Sequence, residues 1–74
     1  MGVSKMQGFI DDIQVDSSIA VITIIDDNDK QHICYAETRL FLESIEDAFN
    51  GDWKGAYIEY ELDSNRIMTG FNPA

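Results

Sequence analysis

Thr38-Arg39-Leu40-Phe41-Leu42-Glu43-Ser44-Ile45-Glu46-Asp47-Ala48-Phe49-Asn50-Gly51 is the stretch that decides the fold, because it breaks a chain otherwise patterned as strands. Phe41 or Leu42, Ile45, Ala48 and Phe49 recur at spacings of three and four, which puts them on one side of a 3.6-period helix. Glu43, Glu46 and Asp47 stay on the wet side. Thr38 suits the N-cap, where its side-chain oxygen can accept an N–H of the first turn. Asn50-Gly51 suits the stop, since Gly51 takes a positive φ without strain. The spacing predicts a helix over residues 39–50. Its single apolar stripe needs a sheet to lie on.

Three strands are expected before the helix. The first covers about 5–15, with Met6, Gly8 and Ile10 on one side and Gln7 and Phe9 on the other. Asp11-Asp12 interrupts the alternation and Ile13 and Val15 resume it, which a bulge near Asp11 would reconcile. Gly8 suits a bend or a close backbone approach. Asp16-Ser17-Ser18 forms a turn. The second strand, 19–25, is nearly all apolar and reads as the most buried and a central one. Asp26-Asp27-Asn28-Asp29-Lys30 is a turn of residues that bond their own backbone and tolerate the left-handed region. The third strand is 31–36, with Ile33 and Tyr35 against His32 and Cys34, and Tyr35 is expected to pair with Ile33 in the core.

A hairpin closes the chain. Ala56, Ile58, Tyr60 and Leu62 alternate with Tyr57, Glu59 and Glu61, the cleanest half-buried strand. Asp63-Ser64-Asn65 turns it, and residues 66–71 return with Ile67, Thr69 and Phe71 facing one way and Met68 and Gly70 the other. The order is β-β-β-α-β-β, a mainly β class with one helix. That order, with the glycine in Met6-Gln7-Gly8-Phe9-Ile10, resembles the OB-fold, a small five-stranded barrel with its helix between strands three and four. The resemblance spans about 5–71 and is one of fold alone. An SH3-like barrel with an inserted helix, or an open antiparallel α+β sheet with the helix across one face, fits the same order.

The chain is 74 residues, room for one domain with a thin core. Its 45% hydrophobic content, aromatics included, places it among folded chains rather than disordered ones. One cysteine, Cys34, leaves no internal disulfide, so a reducing, cytoplasmic setting is expected. Met1-Gly2-Val3-Ser4-Lys5 carries no apolar run of the secretory kind, and Met6 stands where myristoylation needs Ser or Thr. The longest apolar run, 19–25, is too short to cross a bilayer, so no membrane partner is expected.

Fourteen Asp and Glu face five Lys and Arg, a net charge of -9 that repels phosphate at long range. Lys5, Lys30, Arg39, Lys54 and Arg66 stand singly, so local sequence builds no groove for a nucleic-acid backbone. The resemblance to OB domains implies a nucleic-acid face on strands two and three. Here that stretch carries Asp26, Asp27 and Asp29 around Lys30, and only Tyr35, were it outward, to stack a base. The same carboxylates could instead imitate the charge pattern of a duplex, or serve solubility alone.

No catalytic set, cofactor site or metal site is expected. His32 and Cys34 share a strand face but lack a third group to orient the base. Four tetrahedral ligands are not available from one Cys and one His. Asp26-Asp27-Asn28-Asp29 offers oxygens suited to calcium, but the EF-hand pattern fails where Gln31 replaces glycine. Glu59 and Glu61 share a strand face beside Tyr57 and read as exposed. Trp53 lies in the loop after the helix and either covers the core as a lid or contacts a partner. The expectation is a non-enzymatic, acidic protein-binding module, an inhibitor or adaptor for a protein partner with a basic surface, with a homodimer compatible. Its candidate partner-binding residues are Trp53, Tyr57, Glu59, Glu61, Asp26, Asp27 and Asp29. The alternative is a single-stranded nucleic-acid-binding domain of the OB type.

Overall fold

In the computed structural model, which describes residues 4–74, the elements follow as β1 (Ser4–Val15), β2 (Ile19–Ile25), β3 (Gln31–Glu37), α1 (Thr38–Phe49), β4 (Tyr57–Leu62) and β5 (Met68–Pro73). This is the expected β-β-β-α-β-β order. The readings made on Met1, Gly2 and Val3 lie outside the described residues. No helix among the described residues is long and apolar enough to cross a membrane.

The five strands form one antiparallel sheet in the order β3-β2-β1-β4-β5. β1 is the middle strand, and β2 is internal, as expected of a central strand. β1 reaches this position by bending. Its first half pairs with β4 from Ser4↔Leu62 to Phe9↔Tyr57, and its second half pairs with β2 from Phe9↔Ile25 to Val15↔Ala20. The register slips between Ile10 and Asp12, so Asp11 is the extra residue of the expected bulge. Ile10 before the bulge and Ile13 after it therefore both pack into one core.

Gly8 is required where β1 crosses β2. A Cβ there would stand 2.5 Å from Ile24 Cγ2 and 2.8 Å from the Ile25 carbonyl oxygen, closer than real Cβ atoms come. The core gathers Ile10, Ala20, Ile22, Ile24, Cys34, Ile58 and Tyr60, with Phe41 and Ile45 of α1 covering it. Phe41, not Leu42, carries the start of the helical stripe.

Two local readings change. Thr38 is the first helical residue and Glu37 the N-cap, without a side-chain cap bond. The Thr38 hydroxyl donates instead to the Asp16 carbonyl at 3.3 Å, and its N–H donates to Ser18, which ties α1 to the β1–β2 turn. The C-terminal end is as read: Asn50 takes the left-handed conformation at φ 57°, followed by Gly51 at 87°. In β5 the simple alternation fails. The ladder runs Tyr60↔Phe71 and Glu61↔Gly70, then slips to Leu62↔Met68. That bulge absorbs Thr69, so buried Met68 and half-buried Phe71 turn to the same side although three residues apart.

The sheet curls until its ends meet, but it does not close into a continuous barrel. A parallel bridge, Tyr35↔Ile67, joins β3 to the residue before β5. The Tyr35 N–H donates to the Arg66 carbonyl at 3.0 Å, and Arg66 Nε donates to the Ile33 carbonyl at 2.8 Å.

Candidate functional site

Strand parity decides which side chains reach the surface. Ala20, Ile22 and Ile24 of β2 face inward, and their partners Ala36, Cys34 and His32 on β3 share that side. Tyr35 therefore points outward and is 37% exposed. This corrects the core role expected of it: the two small residues beside it, Cys34 and Ala36, are the ones that fit beneath the helix.

The same rule on β1 and β4 builds a surface cluster. Gln7 pairs with Glu59 and Phe9 with Tyr57, so these four side chains share the outer face. The Phe9 and Tyr57 rings meet with centroids 4.6 Å apart and tilted by 57°. Phe9 stays 43% exposed. The β2–β3 turn then folds over one end. Tyr57 Oη lies 3.2 Å from Asp27 Oδ2 and donates to that carboxylate or to Gln7 Oε1 at 3.1 Å. Gln7 Nε2 reaches Glu59 at 3.4 Å, and Lys5 Nζ stands 3.7 Å from the same carboxylate. Asp26, Asp27 and Glu59 thus line one shallow depression with a single cation, Lys5. Burial first, then the neighbouring Asp27 charge and hydrogen bond, raises the Tyr57 pKa, which keeps its hydroxyl protonated as a donor.

The turn that carries Asp26 and Asp27 is held by its own hydrogen bonds. Asp26 Oδ1 accepts the N–H groups of Asn28 and Lys30 at 2.8 and 2.9 Å. Asp29 takes φ 66° to let the chain return. Asp26 Oδ2 lies 2.7 Å from His32 Nε2. That hydrogen bond, reinforced by the Lys30 N–H, holds the Asp26 carboxyl below its usual pKa.

Of the expected site residues, the fold gathers Tyr57, Glu59, Asp26 and Asp27. Asp29 shares the turn of Asp26 and Asp27. Glu61 is one pair further along the same β4 face, opposite Lys5. Trp53 is half-buried and packs against the core. Phe9 and Gln7 were missed. Their signal was the cross-strand register: once Gly8 faces Ile58, Phe9 must face Tyr57.

His32 and Cys34 do not form a couple. His32 is turned to Asp26. Cys34 is fully buried, its Sγ 3.7 Å from the Ile22 carbonyl, and burial pushes its thiol up to about 11, away from the nucleophilic thiolate. No cluster of three or more metal-ligating side chains occurs among the described residues. Comparison with family models, with curated proteins and with solved structures finds no match to this chain.

Proposed function

We propose that the chain is a small acidic protein-interaction module, an inhibitor or adaptor that takes a basic surface of a nucleic-acid-handling protein. The observation that carries this reading is the Phe9–Tyr57 pair, Phe9 exposed and Tyr57 half-buried, with the Tyr57 hydroxyl at Asp27 and with Asp26 and Glu59 close by. A guanidinium or ammonium on the ring faces would gain cation–π attraction and find carboxylates within reach. The net charge of -9 would speed encounter with a basic partner and repel nucleic acid. Asp27 is already oriented by Tyr57, so little ordering is needed when a cation arrives.

At the finer level of fold, the order β3-β2-β1-β4-β5 with a parallel β3–β5 contact supports the OB-like barrel over the SH3-like alternative. That keeps a second reading in view, a single-strand nucleic-acid binder, for which the outward Tyr35 beside Arg66 is the favourable feature.

The test is capture of partners by the tagged full chain at about 0.15 M salt, followed by reconstitution with the purified partner. A basic protein should bind directly, and Asp27→Lys with Glu59→Lys should weaken it by ~10-fold or more. Nucleic acid bound without a protein bridge, and undiminished by Asp27→Lys, would establish the second reading in its place.

A further inference from the structure

On the side of the molecule where α1 meets β5, the sheet stops short of closing. Beyond the Tyr35↔Ile67 bridge no ladder joins β3 to β5 among the described residues, so the edge of β5 facing away from β4 has no strand partner. The opening is a groove of about 230 Å³ between the end of β3, the first turns of α1 and β5. Leu40 and Ile67 stand on its walls 60% and 40% exposed, large apolar side chains that the core does not use. Gly70 lines it and is exposed, and a Cβ there would meet nothing within 4 Å, so no neighbouring atom crowds that face of β5. Edge strands are commonly guarded by lysines, inward charges, prolines or bulges. Pro73 and the bulge at Thr69 bound this edge, and Gly70, Phe71 and Asn72 between them carry no charge.

The charged side chains that line this groove and its continuation are carboxylates. Glu37 lines it at the β3 end, and Asp47 lines its continuation past Ser44 and Phe71. No Lys or Arg lines either stretch. Arg39, the cation of α1, lies 3.8 Å from Glu43, and Arg66 Nε is committed to Ile33.

We infer that an extended segment of a partner protein, alternating Lys or Arg with Val, Ile or Leu, adds to the free edge of β5 as a sixth strand and lays its apolar side chains against Leu40 and Ile67. Main-chain hydrogen bonds to β5 would supply affinity, the groove would select the apolar residues, and Glu37 and Asp47 would select the cations. A second copy of this chain fits poorly, because its own β5 segment carries no cation to meet Glu37 and Asp47. The inference rests on the acidic-module reading and gives it a second contact, on a different face from Phe9 and Tyr57.

The experiment uses the ¹⁵N-labelled full chain and a short capped peptide of alternating lysine and valine, with a proline-interrupted peptide of equal charge as comparison. Binding should shift the amides of Thr69, Gly70 and Phe71 and slow their exchange. The proline peptide should bind ~10-fold more weakly, since it cannot complete a strand. Leu40→Lys, at an exposed position that leaves the core intact, should weaken binding by about as much, while Gln14→Lys, exposed on the second half of β1 and away from both faces, should leave it unchanged. Shifts confined to Asp27, Glu59 and Tyr57, with both peptides bound equally, would overturn the groove and leave the acidic module standing. Failure of the lysine–valine peptide to bind at all, while a captured basic protein still binds through Asp27 and Glu59, would also reject the groove alone. Loss of both would remove the module reading with it. A concentration-dependent dimer that Leu40→Lys dissolves would assign the groove to a second copy and overturn the inference.

Discussion

His32 Nε2 lies 2.7 Å from Asp26 Oδ2, while Oδ1 of the same carboxylate accepts two N–H groups of its own turn. One side chain thus joins the β2–β3 turn to the strand that follows it, and holds Asp27 where Tyr57 can reach it. The folded-state pKa of Asp26 is lowered from 3.8. Stability from this carboxylate is therefore present above about pH 4 and lost as pH falls through its lower folded value. Asp26→Asn should be less stable than the parent at neutral pH, and the gap in urea midpoint should narrow as pH is lowered. A gap that holds constant into strong acid would mean that the charge of Asp26 contributes nothing.

Gly8 should not tolerate a methyl group. The atoms its Cβ would meet include the Ile25 carbonyl, a backbone group in a paired strand that has little room to move. Gly8→Ala is expected to cost about 1–3 kcal/mol as an overpacking change, despite the usual gain of alanine over glycine in the unfolded state. Denaturant titration gives the sign directly, and a neutral or stabilised variant would show that β1 does not cross β2 this closely.

The alkaline limb of stability should belong to two core groups. Burial pushes Cys34 from 9.0 to about 11 and Tyr60 from 10.0 to about 12. Both are neutral in the fold, so their contribution is complete below the unfolded pKa values and fades as pH rises from about 9 toward 12. The Tyr60 hydroxyl is buried without a protein hydrogen-bond partner among the described residues. Tyr60→Phe removes that desolvated group and should be neutral or stabilising by about 1 kcal/mol. It should also flatten the alkaline fall, and Cys34→Ala should flatten it further. An alkaline midpoint unmoved in the double variant would exclude these groups as its cause.

Arg66 holds the two ends of the sheet together from a backbone conformation that favours glycine, φ 64°. Its carbonyl accepts the Tyr35 N–H, and its side chain donates to Ile33. Arg66→Ala loses the side-chain bond and keeps the strain. Arg66→Gly loses the bond but relieves the strain. The glycine variant should therefore be the more stable of the two by about 1 kcal/mol, with both below the parent. Equal melting temperatures for the two variants would argue that residue 66 carries no strain.

The elements were legible because each announces itself locally. The 3.6-residue stripe of Phe41, Ile45 and Phe49, the alternation of Ile58, Tyr60 and Leu62, and the Asp11 interruption all survive in the structure. What failed depended on partners. Tyr35 shares a strand face with Ile33, which suggests a core position, yet parity alone does not say which face is the core. Cys34 decides it by pairing with Ile22. The facing of Met68 and Phe71 departs from simple alternation because of the bulge at Thr69, which has no sequence signature. In the candidate site, the carboxylates were visible as residues, but Phe9 became a candidate only once the β1–β4 register set it against Tyr57.

Trp53 separates a covering role from a contact role. Its ring packs against the core from the loop after α1, and its carbonyl accepts the Ala56 N–H that leads into β4. Gly55, at φ 81°, allows that turn, and its N–H donates to the Ile10 carbonyl at 2.7 Å. The loop is thus anchored to β1 independently of the indole. Trp53→Ala should then leave the backbone path intact and remove apolar cover from a thin core, at a cost of about 2 kcal/mol or more. The lost cover should appear as a lower melting temperature and faster exchange of the core amides nearest the loop. Affinity for a basic partner, measured well below the variant's melting temperature, should stay within about twofold, because Phe9, Tyr57 and Asp27 do not depend on the indole. Unchanged stability with weakened binding would make Trp53 an anchor and move the contact face to this loop.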